Sequence, residues 1–69
     1  MTLREARFKV NMKQEELAKL IQVNQSYVSK IERGYVNPTN EIKERISTAL
    51  GLDIYAISYE KTKENIANY

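Results

Sequence analysis

Gln25, Ser26, Ser29 and Lys30 share one side of a helical repeat whose other side carries Val28 and Ile31. Their chemistry is hydrogen bonding rather than bond breaking. A glutamine amide can pair with adenine through two bonds, a lysine ammonium can meet the O6/N7 edge of guanine, and serine serves either base. An ordinary wet helix surface also uses Gln, Ser and Lys. It does not account for the scarcity of acid here. Glu32 is the only carboxylate from residue 17 to 40, and Lys30 and Arg33 flank it. That balance favours an anionic partner with edges to read, which is nucleic acid.

Two elements must position this face. Leu17, Ala18 and Ile21 are three and four apart and predict a helix over about Gln14 to Ile21. Glu15 and Glu16 suit its first turn, whereas Lys13 is a poor N-cap because it has no acceptor to offer. A second helix is expected over about Gln25 to Arg33, capped by Asn24 and stopped at Gly34. Between them, Gln22-Val23-Asn24 supplies one apolar residue to plug the corner, and Ala18 is small enough for a close crossing. This is the layout of a helix-turn-helix, whose second helix can enter the major groove. A positive φ at Gln22 would cost on the order of 1 kcal/mol.

Around this pair the pattern predicts three more helices and no strands. Thr2 and Glu5 form a capping box for a helix from about Leu3 to Val10, with Asn11 as a left-handed C-cap. Thr39 can cap a helix over about Asn40 to Leu50 that turns Ile42, Ile46, Ala49 and Leu50 inward and ends at Gly51. Asp53 opens a fifth helix beginning Ile54-Tyr55-Ala56-Ile57. The expected organisation is an all-α domain over residues 1–57, then a tail or helical extension over 58–69. Phosphate contacts are expected from Gln14, at a helix start, and from Tyr27, Arg33, Tyr35, Asn37 and Thr39 on and after the reading helix. An Asn or Thr near proline also serves ordinary turn chemistry.

Composition removes other classes of function. The 69 residues contain neither Cys nor His, so disulfides, thiolate and zinc sites and the commonest acid–base residues have no material. No pair of the remaining Asp, Glu, Lys, Tyr or Ser is set for catalysis, and neither metal, cofactor nor small-molecule ligand is expected. No apolar run approaches the ~20 residues of a membrane span. The formal charge of +2 is unevenly spread: residues 1–40 hold seven Lys/Arg against four Glu, residues 41–69 four against five acids. An anionic partner should prefer the N-terminal half.

The run MKQEELAKLIQVNQSYVSKIERGYVNP resembles the signature of the Cro and phage-repressor (lambda-repressor-like) helix-turn-helix family, and the similarity extends over about residues 3–57. Gln14, Leu17-Ala18, Val23, Ile31-Glu32, Gly34 and Pro38 fall on motif positions. The resemblance implies a five-helix domain that binds a palindromic operator on double-stranded DNA as a homodimer. It places Gln14, Gln25, Ser26 and Lys30 on DNA-contacting positions, and Arg7 and Glu32 on a partly buried structural ion pair. Lys13, Gln22 and Ala56 depart from the family pattern, the last where helix five usually packs a larger apolar group. Leu20, Tyr55 and Tyr59 are spare apolar groups for a subunit contact. The expected function is a small cytoplasmic DNA-binding repressor, nucleoid-associated when bound. The alternative is an antitoxin-like interaction module whose tail folds on a partner.

Overall fold

The computed structural model describes residues 1–59. Four α-helices follow one another: α1 (Leu3–Lys9), α2 (Gln14–Ile21), α3 (Gln25–Glu32) and α4 (Asn40–Leu50), then a single 3₁₀ turn at Ile54–Ala56. No strand forms among the described residues. Each helix is short enough to be marginal alone, so packing must supply what local propensity cannot.

Starts and stops are set locally. The Thr2 hydroxyl accepts from the Glu5 amide at 3.1 Å and the Glu5 carboxylate from the Thr2 amide at 2.8 Å. The bond from the Thr2 amide is the main reason the Glu5 carboxyl sits below its ordinary value of 4.5. Its contribution to α1 is therefore complete above that value and is lost as pH falls through the lowered one. At α2 only half of this device exists: Glu16 accepts from the Lys13 amide at 2.8 Å, and Lys13 caps nothing. Thr39 accepts from the Ile42 amide at 3.3 Å. Asn24 holds the N-cap position of α3 with extended backbone, yet its side chain bonds none of the first-turn amides, contrary to the capping role its identity suggests.

All four helices close the same way. A residue in the left-handed region follows the last turn, and the next amide reaches back to a carbonyl five residues earlier, as in a Schellman motif. The left-handed residues are Asn11, Gln22, Gly34 and Gly51. The returning bonds are Met12 to Arg7 (3.0 Å), Val23 to Ala18 (2.9 Å), Tyr35 to Lys30 (2.9 Å) and Leu52 to Ser47 (3.0 Å). Met12, Val23 and Leu52 then pack against the core, so closure and burial reinforce each other.

The core joins Leu3 and Ala6 of α1, Leu17, Ala18 and Ile21 of α2, Val28 and Ile31 of α3, Ile46 and Leu50 of α4, and Ile57. Ala18 is 2% exposed, so the α2–α3 crossing has no room for a larger side chain. Arg45 reaches from α4 to the Ile21 carbonyl at 3.1 Å and satisfies one of the free acceptors at the end of α2.

The fifth helix is not formed as expected. Asp53 does cap the Tyr55 amide at 2.9 Å, but the turn ends at Ala56, and Ile57 is extended (φ −110°, ψ 130°). A long-range tie overrides the local pattern: Ser58 donates to the Met1 carbonyl at 2.8 Å, and the Met1 ammonium donates to the Ala56 carbonyl at 3.1 Å. A parallel bridge pairs Thr2 with Ser58. Extension here sends Ile57 into the core beside the small Ala56. Tyr59 packs partly against the same core with the Lys43 ammonium 5.3 Å from its ring centre, and burial pushes its phenol up to about 12. Two smaller boundaries also shift: α1 stops at Lys9 and α3 at Glu32, each one residue before the expected end. Of the expected tail, residues 60–69 lie outside the described residues.

Gln22 holds φ 64° without being glycine. Replacing it should relieve left-handed strain, so Gln22→Gly is expected to raise stability by about 1 kcal/mol in urea unfolding. A destabilised variant would show that the Gln22 side chain contributes more than its backbone costs.

Candidate nucleic-acid interface

The site is built outward from one buried pair. Arg7 on α1 meets Glu32 on α3 side-on through two bonds, Nε to Oε2 at 2.6 Å and Nη2 to Oε1 at 3.1 Å. Their side chains are 7% and 5% exposed. The third Arg7 nitrogen, Nη1, donates to the Met12 carbonyl at 2.7 Å, at the closure of α1. The guanidinium thereby connects the loop that feeds α2 with the last turn of α3. Desolvating both charges is costly, and the cost is met because their polar atoms find partners in good geometry.

Glu32 also orients the outer residues. Its Oε1 accepts from the Gln14 amide nitrogen at 3.0 Å. A carboxylate only accepts, so the amide must turn its nitrogen inward and its oxygen outward. That oxygen accepts from the Gln25 amide nitrogen at 3.4 Å, a long bond but one that fixes the same sense. Gln25 keeps its own oxygen and a second N–H unspent. The order of bonds therefore runs from a buried salt bridge, through Gln14, to the first residue of α3.

The other expected residues divide into groups. Gln25, Ser26 and Lys30 are exposed on α3, and Ser29 is half-buried beside them. Tyr27 is less exposed than its position suggested: it is half-buried and packs partly against the core. Arg33 is exposed at the end of α3 and shares a polar hollow with Arg4, Arg7, Gln14, Ser29 and Glu32. Asn37 and Thr39 are exposed in the loop to α4, and Tyr35 is half-buried there. The Thr39 hydroxyl accepts from α4 and still has its hydrogen to donate.

Electrostatically, α3 presents cations without competition. Its single carboxylate is neutralised by Arg7, while Lys30 and Arg33 have no acidic partner among the described residues. The residue missed by the sequence reading is Arg4. The only signal for it was that it precedes Arg7 by three positions and so shares a helix face, which shows nothing until α1 docks on α3.

Arg7 is left buried and unpaired if the carboxylate is removed. Glu32→Ala is therefore expected to cost about 3–5 kcal/mol in urea unfolding, and an apolar replacement of both partners far less. A Glu32→Ala loss below about 1 kcal/mol would contradict a dry, buried pair.

A helix-turn-helix family model matches residues 3–57 of this chain. Comparison with curated proteins and with solved structures returned no match.

Proposed function

This chain belongs to the Cro/repressor-type helix-turn-helix family of DNA-binding transcriptional regulators, and we propose that it is a small dimeric repressor that reads a palindromic operator with α3 in the major groove. The observation that supports its base-reading part is the sense of the Gln14 amide, set by Glu32 and passed to Gln25 through a long bond of 3.4 Å. With one N–H held by Gln14, Gln25 offers an acceptor and a donor together, the pair that adenine N6 and N7 require. Pre-set orientation matters because a free glutamine would lose rotamer entropy on each encounter.

In this reading Gln25, Ser26, Ser29 and Lys30 meet base edges, with Lys30 suited to guanine. Gln14, Tyr27, Arg33, Tyr35, Asn37 and Thr39 set the register by contacting the phosphate–sugar backbone. The uncapped start of α3 leaves its first amides free for the same purpose. Two copies related by a two-fold axis would place their α3 helices one helical turn of DNA apart. Exposed Leu20 and Tyr55 are the apolar groups on offer to a second subunit, whereas Tyr59 is largely spent on its own core. No helix among the described residues is long and apolar enough to cross a membrane. The place of action we assign is the cytoplasm, at the nucleoid, with repression set by the protein's concentration and operator arrangement.

Gln25→Ala and Lys30→Ala should each weaken binding to the preferred duplex by about 1–3 kcal/mol, measured by titration with circular dichroism confirming the fold. Binding to unrelated duplex should fall for Lys30→Ala alone. Parental affinity in both variants would remove the base-reading assignment.

A further inference from the structure

The hollow enclosed by α1, α2 and α3 has a volume of about 370 Å³ and is lined by Arg4, Arg7, Gln14, Ser29, Glu32 and Arg33. Its charges do not cancel. Glu32 and Arg7 neutralise each other, which leaves the guanidiniums of Arg4 and Arg33 without an acidic partner among the described residues. Neutral donors complete the lining. One N–H of the Gln14 amide is used by Glu32 and the other is unspent, and the Ser29 hydroxyl has no partner among the described residues.

Arg4 does not wave freely over this hollow. Its guanidinium carbon lies 5.4 Å from the centre of the Phe8 ring, and that of Arg7 lies 5.0 Å from the same ring. Phe8 is 56% exposed and contributes nothing to the core, so an aromatic side chain at the surface is given over to two cations. A guanidinium stacked in this way keeps its N–H edges available for a planar or tetrahedral anion.

We propose that this hollow takes a phosphodiester of bound DNA, with Arg4 and Arg33 as its charged walls and Gln14 as a neutral donor. Arg4 thereby brings α1, which lies outside the helix-turn-helix, into contact with the DNA backbone. This rests on the DNA-binding reading above and extends it to a residue and a helix that reading does not use. A phosphate contact carries no base information, so Arg4 tightens binding equally on preferred and unrelated sequences.

The test is the salt dependence of duplex binding by the full chain as wild type, Arg4→Gln and Arg4→Lys, with inorganic phosphate titrated in parallel by nuclear magnetic resonance. Arg4→Gln should lower the slope of log K against log salt by about 0.9, the loss of one phosphate contact, on every duplex tested. Arg4→Lys should keep the slope. An unchanged slope in Arg4→Gln overturns the proposal. If the wild type binds no duplex, the DNA reading itself has failed, and the phosphate titration decides the site. Saturable shifts at Arg4, Ser29 and Arg33 that vanish in Arg4→Gln would then assign the hollow to free phosphate or a small phosphorylated ligand; their absence would remove the anion site altogether.

Discussion

The buried pair of Arg7 and Glu32 is the constraint on which the other arrangements depend. Neither charge can be buried alone, so α1 and α3 must dock together or not at all. Once docked, the pair's remaining valences are used up by neighbours that define the site: Met12 at the mouth of α2 and Gln14 at its start. Such a pair is a poor source of net stability, because desolvation offsets most of the attraction. Its value lies in geometry. An apolar contact of the same size would hold α1 against α3 without dictating which way the Gln14 amide faces.

The second constraint is the shared closure of the helices. Four successive left-handed residues, two of them not glycine, redirect the chain at fixed angles and return an apolar side chain to the core in three cases. At Gln22 this closure sets the turn between α2 and α3, so the strain it stores is located where the angle of α3 is decided. Ala18 then permits the close crossing, and Arg45 satisfies the α2 carbonyl that the turn exposes. Helix α3 is thus held at its first residue by Gln14 and at its last, Glu32, by Arg7.

Local signals made much of this legible. Apolar spacing marks α2, α3 and α4 within a residue or so, and local bonding explains the residue types at some of their ends, as at Thr39 and Gly51. Asn11 in the left-handed region follows from its side chain tolerating that conformation. What escaped depends on contacts distant in sequence. The segment after Asp53 has helical starting signals, but Ser58 pairs with the chain's beginning and draws Ile57 into extension. Tyr27 and Tyr59 look like surface tyrosines until their rings meet the core. Arg7 and Glu32 lie 25 positions apart, and only the family resemblance linked them. Arg4 faced no recognisable partner until the hollow existed.

On the proposed function, α3 recognises sequence on a two-fold symmetric site. The most direct measurement is selection from a pool of random duplex DNA with the purified chain at about 150 mM salt. The expected result is enrichment of a palindrome whose half-sites lie about one helical turn, roughly 10 base pairs, apart, with a fixed preference under each half. Retention of duplex without sequence preference, fading as salt rises, would contradict it and leave only attraction to phosphate.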